Sequence, residues 1–86
     1  MNDVVIYTRD YCGYCASAKS LLDRKGVRYT EINASADPSK RQEMMQRSGR
    51  YTFPQVFIGP THVGGCDDLH ALDRRGGLDP MLAALT

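Results

Sequence analysis

Cys12-Gly13-Tyr14-Cys15 lies between an apolar run and a stretch with helical spacing, and no other feature limits this 86-residue chain so tightly. Cysteines three positions apart share one face of a helix, at a Cα separation that a disulfide accepts. They are too close to staple distant parts of a fold. With Cys66 the cysteine count is three, an odd number, so the thiols read as chemistry rather than framework.

The surrounding pattern gives the pair its place. Val4-Val5-Ile6-Tyr7-Thr8 is a largely β-branched run without polar alternation, which predicts a central strand buried on both faces. Gly13 to Lys25 carries Ala16, Ala18, Leu21 and Leu22 at helical spacing and stops at Gly26, so Cys12 falls at a helix N-terminus. Arg28 to Asn33 predicts a second strand, parallel to the first because a helix separates them. Asp37-Pro38 is an N-cap followed by proline at the first helical position, and that helix carries Met44 and Met45 to a stop at Gly49. Pro54 to Ile58 and Thr61 to Gly64, joined by Gly59-Pro60, predict an antiparallel hairpin. Asp67 and Asp68 precede Leu69 and Leu72 in an acid-capped helix that ends at Gly76-Gly77, and Asp79-Pro80 starts a last short helix through Leu85.

The order β-α-β-α-β-β-α makes an α/β fold, a four-stranded mixed sheet flanked by helices with a short C-terminal helix. With a cysteine pair starting the first helix, it resembles the thioredoxin-like fold. Residues 1–86 are expected to form one domain, because the chain is too short for two. Hydrophobic residues at 42% and charged residues at 24% suit a folded core. Eleven Lys and Arg against ten Asp and Glu give a net charge of +1, without the basic excess that nucleic-acid binding requires. Only five residues separate Asp3 from Arg9, too few for a secretory or membrane-spanning segment, so a cytoplasmic location without membrane partners is expected.

Unpaired N–H groups and the positive end of the helix dipole favour an anion at Cys12, with Cys15 a turn deeper and the Arg9 cation nearby. Cys12 is therefore the expected thiolate and nucleophile. A thiol with a pKa of about 8.5 is only about 3% ionised at pH 7, and lowering it by roughly 3.5 units gains about 1.5 log units of thiolate. The weaker base loses about 1.4 to 1.8 log units of nucleophilicity at a Brønsted slope of about 0.4 to 0.5. What remains is a better leaving group, which predicts fast release of Cys12 from a mixed disulfide rather than fast first attack. Cys-x-x-Cys is also zinc-knuckle spacing, but Cys66, His62 and His70 supply no second knuckle, and the two histidines read as exposed polar residues.

Tyr7-Thr8-Arg9 before Cys12-Gly13-Tyr14-Cys15, then Thr52-Phe53-Pro54, then Gly64-Gly65-Cys66-Asp67-Asp68, in this order and spacing, resembles a glutaredoxin of the small, bacterial-like dithiol type. The resemblance covers essentially the whole chain. It implies glutathione as reducing co-substrate, with glutathionylated or disulfide-containing proteins as partners of a monomer. Cys12 and Cys15 would be catalytic. Pro54 would be a cis-proline that leaves the Phe53 main chain open to the cysteinyl part of glutathione, with Thr52 beside it. Gly65 would allow close approach, Cys66 and Asp67 would bind the γ-glutamyl carboxylate through backbone N–H groups, and Asp68 or Asp67 would accept from its ammonium. Arg41 or Arg9 would hold the glycine carboxylate, and Tyr14 would flank the tripeptide. Tyr7, Met44 and Met45 are expected in the core, and Cys66 is expected to be a buried, inert thiol.

Two departures from the commonest dithiol pattern stand out: Gly13 replaces a proline and Arg9 a lysine. Relatives with Cys-Gly-Tyr-Cys are associated with glutathione-ligated [2Fe-2S] clusters bridging two subunits, which makes a cluster-carrying homodimer with Cys12 as ligand the alternative reading. A third, a redoxin served by thioredoxin reductase, is disfavoured because such proteins carry a Trp-Ser-Gly-Phe motif and this chain has no Trp.

Overall fold

The computed structural model describes residues 3–85. The elements run β1 (Val4–Thr8), α1 (Gly13–Arg24), β2 (Thr30–Asn33), α2 (Pro38–Ser48), β3 (Gln55–Ile58), β4 (Thr61–Gly64), α3 (Cys66–Arg74) and α4 (Leu78–Ala83). The sheet order is β2-β1-β3-β4, with β1 parallel to β2 and antiparallel to β3, and with β3 and β4 antiparallel. This is the thioredoxin-like fold.

Side chains alternate across a strand, so β1 and β3 each feed two cores. Val4, Ile6, Val56 and Ile58 pack on Ala18, Leu21 and Leu22 of α1, Leu69 of α3 and Leu78 of α4. On the other face Tyr7 and Phe57 enclose Met44 of α2. The Tyr7 hydroxyl donates to Glu43, the Arg47 guanidinium donates to the Tyr7 oxygen (2.7 Å), and Arg47 also lies 4.3 Å from the Phe57 ring centroid. These contacts clamp α2 to the sheet.

The loop from β1 to α1 is pinned to the end of β2. Asp10 N–H donates to Ser35 Oγ (2.6 Å), Asn33 Nδ2 donates to Asp10 Oδ1 (2.8 Å), and Ala34 N–H donates to Thr8 O (2.8 Å). Tyr11, at φ 54° and fully exposed, makes the turn that delivers Cys12 to the helix start.

Several expectations shift. Met45 is 42% exposed rather than core, because a residue about 100° round the helix from Met44 cannot share its buried side. The third helix begins at Cys66, with Gly65 as N-cap, so Asp67 and Asp68 lie inside its first turn; it ends at Arg74. The last helix starts at the buried Leu78 instead of Asp79. Its expected run through Leu85 shortens to Ala83. The second strand starts at Thr30, and Pro54 sits just outside the third. His62 and His70 are half-buried, held by Gln55 and Ser17 respectively. Among the described residues no helix is long and apolar enough to cross a membrane.

Candidate active site

Cys12 is the N-cap of α1. Its Sγ accepts the Cys15 N–H at 3.2 Å, one of the orphan donors of the first turn, and no acid lies in that turn. Cys12, Cys15 and Cys66 are all thiols. Cys12 is half-buried, whereas Cys15 is 2% exposed, and burial, reinforced by the neighbouring Cys12 sulfur, pushes the Cys15 thiol up to about 12. The two sulfurs are thus unequal, with the outer one accessible and the inner one held protonated.

Next to Tyr14 of this helix lies a groove of about 280 Å³, lined also by Arg50, Thr52, Phe53, Pro54, Gly65, Cys66, Asp67 and Asp68. The Phe53–Pro54 peptide is cis, as the resemblance implies. A Cβ on Gly65 would stand 3.4 Å from the Pro54 carbonyl, so the wall at Pro54 and the start of α3 meet closely. A Cβ on Gly64, at φ 122°, would lie 2.3 Å from Asp68 Oδ2. Glycine at 64 leaves that space to the carboxylate.

Asp68 Oδ2 accepts from the Gly65 N–H (2.9 Å) and from Arg50 Nη1 (2.9 Å), and these two donors hold its carboxyl below the usual range. This is the carboxylate half of a capping box. Asp67 is exposed beside it, and Cys66 is buried at 8% exposure.

The groove gathers most of the residues singled out from the sequence: Tyr14, Thr52, Phe53, Pro54, Gly65, Cys66, Asp67 and Asp68. Arg41 and Arg9 are not among its lining residues. Arg41 stands outside, with its guanidinium carbon 6.0 Å from the Phe53 ring centroid, and the exposed Arg9 guanidinium turns toward Asp10 O at 3.5 Å. The Arg9 backbone instead contacts Cys15. The cation inside the groove is Arg50, which the sequence reading passed over. Its signal was weak, a charge two residues ahead of Thr52-Phe53-Pro54, whose role appears only when the fold brings it to a partner 18 positions away. A larger depression of about 440 Å³, lined by Val27, Arg28, Tyr29, Leu82 and Leu85 among others, contains no cysteine.

A sequence profile of the glutaredoxin family matches residues 4–63, which span the cysteine pair and the proline wall. The chain belongs to the glutaredoxin family. It is 56% identical to glutaredoxin 3 of Escherichia coli strain K12 over 82 residues, covering 95% of this chain and 99% of the relative. The solution structure of a Brucella melitensis glutaredoxin superposes with TM-score 0.83 at 63% identity, covering 95% of this chain and 89% of that one. A buckwheat glutaredoxin–glutathione complex superposes with TM-score 0.89 at 38% identity, covering 98% and 79%. As a glutaredoxin the chain is a thiol-disulfide oxidoreductase.

Proposed function

We propose that residues 1–86 act as one dithiol glutaredoxin domain that reduces glutathione mixed disulfides and protein disulfides, with glutathione as electron donor. The observation that carries this reading is the groove beside the cysteine helix, which offers a main-chain edge at Phe53, helix N–H groups at Cys66 and Asp67, and an Asp68 carboxylate. A γ-linked tripeptide presents complementary groups: an amide to pair with an extended edge, a carboxylate for a helix N-terminus and an ammonium for an acid. A relative of similar fold is a glutathione complex, which supports the same reading.

The chemistry follows from the unequal sulfurs. Cys12 attacks the glutathione sulfur of a mixed disulfide, forming Cys12–S–S–glutathione and releasing the other thiol, which takes up a proton. A second glutathione thiolate attacks the bound glutathione sulfur, producing glutathione disulfide and returning Cys12 to its reduced state. With a protein disulfide, Cys12 attacks one of its sulfurs and releases the other as a thiol; Cys15 then loses its proton and attacks Cys12 Sγ of the resulting mixed disulfide, closing the Cys12–Cys15 disulfide and expelling the second protein thiol. Two glutathiones then reopen it. Burial favours the protonated form of Cys15 until its attack on Cys12.

The test is turnover of a cysteine–glutathione mixed disulfide, coupled to glutathione and its reductase, beside reduction of a protein disulfide. Cys15→Ser is expected to keep the first activity and lose the second, and Cys12→Ser to lose both. Loss of both in Cys15→Ser would overturn the division of roles.

The alternative, a [2Fe-2S] carrier, has one supporting observation: beyond Gly13 there is open space, since a Cβ there would meet nothing within 4 Å. Among the described residues no group of three or more His, Cys, Asp or Glu converges, so one chain does not assemble a full ligand set; Cys12 is the ligand this reading assigns to it. The remaining ligands would come from glutathione and a second copy. Anaerobic reconstitution with iron, sulfide and glutathione would give a coloured dimer, and a colourless monomer excludes it.

A further inference from the structure

Strand register places an uncommon polar group under the groove. In the β3–β4 pairing Phe57 is opposite His62, with an irregularity between Val56 and Phe57. The His62 ring lies 4.9 Å from the Phe57 ring, tilted by 32°, and its Nε2 reaches diagonally to Gln55 Oε1 at 2.7 Å. Gln55 is 0% exposed, a neutral amide enclosed by the sheet and its loops. Its Nε2 donates both protons to one residue, to Thr52 O and to Thr52 Oγ1, each at 3.1 Å.

An amide can be flipped end for end at almost no steric cost, so a buried one needs something that fixes which end is oxygen. Gln55 Oε1 is an acceptor, so His62 Nε2 must carry a proton to satisfy it. With the oxygen held there, the amide nitrogen has to face Thr52. Flipped, Gln55 would set its oxygen against the Thr52 carbonyl, a repulsion that the observed orientation avoids. Burial and the nearby Arg50 cation lower the His62 pKa, which disfavours a second charge beside the buried amide. Both contacts fall on Thr52, which lines the groove, so the buried amide holds the main chain and the hydroxyl of one groove residue at once.

We infer that His62 and Gln55 form a two-step positioning relay that fixes Thr52 at the glutathione groove. The inference rests on the reading of that groove given above. Neither His62 nor Gln55 lines the groove, so both are positioning residues whose effect passes through Thr52 and the adjoining Phe53 main chain.

The test is steady-state kinetics of the full chain with the cysteine–glutathione mixed disulfide, on Gln55→Leu, His62→Phe and the double variant. Gln55→Leu removes both donors to Thr52 and is expected to raise KM about 3- to 10-fold, with kcat within about 2-fold. His62→Phe preserves the ring stack on Phe57 but not the N–H, and should raise KM about 2- to 3-fold. In the Gln55→Leu background it should add nothing further, because the relay is serial. Gln55→Glu covers the case in which the leucine variant does not fold. It still accepts from His62, has no donor for Thr52, raises KM as leucine does and shifts the His62 ring titration upward by NMR. Multiplying KM effects in the double variant, a fall in kcat alone, or unchanged kinetics in every variant would overturn the relay. A wild-type chain indifferent to the glutathionyl part of its substrate would instead overturn the reading of the groove.

Discussion

Two helices start at the active site, and they treat their exposed N–H groups in opposite ways. α1 is capped by Cys12, whose sulfur accepts the Cys15 N–H, and its first turn contains no acid. α3 is capped by Gly65 and carries Asp67 and Asp68 in its first turn, with Asp68 folded back on the Gly65 N–H. The positive end of the first helix is left to act on sulfur, and that of the second is balanced by carboxylates. In the proposed function the first start faces the reacting sulfur and the second faces a ligand with charges of both signs, so it combines N–H donors with an acid. The same backbone device would then serve reactivity in one place and recognition in the other.

The sharpest way to break the contrast is to push Asp68 out of position. Gly64→Ala should do so, since its Cβ would collide with the carboxylate and its backbone sits at φ 122°. A stability loss of about 2 kcal/mol in urea unfolding is expected, with KM for the mixed disulfide raised more than 10-fold. Gly49→Ala, at φ 70° with nothing near its Cβ, serves as control and should lose about 1 kcal/mol without a change in KM. Asp68→Asn leaves the backbone alone and should raise KM about 10-fold. It should also change the acid limb of stability. The lowered pKa of Asp68 means that its contribution is present above about pH 4 and disappears as pH falls through the folded value. Urea unfolding between pH 5 and 2 should show a shallower decline in Asp68→Asn, and a small one because the carboxylate is 44% exposed. Making the first helix start resemble the second gives the mildest effect. Gly13→Asp, for which there is room, should slow iodoacetamide labelling of Cys12 at pH 7 about 3-fold.

What could be read from the sequence was what local rules fix. Asp37-Pro38 and Gly49 marked the ends of α2 because an N-cap, a first-position proline and a left-handed C-cap are local devices. The cysteine pair was placed at a helix start for similar reasons. Met45 was misread because two adjacent methionines carry the same hydrophobic signal, and only the angle to the sheet decides which is buried. Arg50 and Arg41 show the limit at the site. Both are arginines near predicted boundaries, and their roles depend on whether the fold turns them toward Asp68 or toward the outer side of Phe53. Gln55 read as one polar residue in an apolar strand, and its function depends on His62, a neighbour supplied by the hairpin register.

Lys25, at the end of the cysteine helix, holds Asp73 at 2.7 Å and Asp79 at 3.0 Å, one at the close of α3 and one in α4. The far end of the helix bearing Asp67 and Asp68 is thereby tethered to the far end of the helix bearing Cys12. Clipping the chain after Arg75 would delete no groove residue and would spare the Lys25–Asp73 contact, yet it would remove Asp79 and the buried Leu78, which packs with Leu21 and Leu22 of α1 and Leu69 of α3. The tail thus braces from behind the two helices that flank a cleft it never touches.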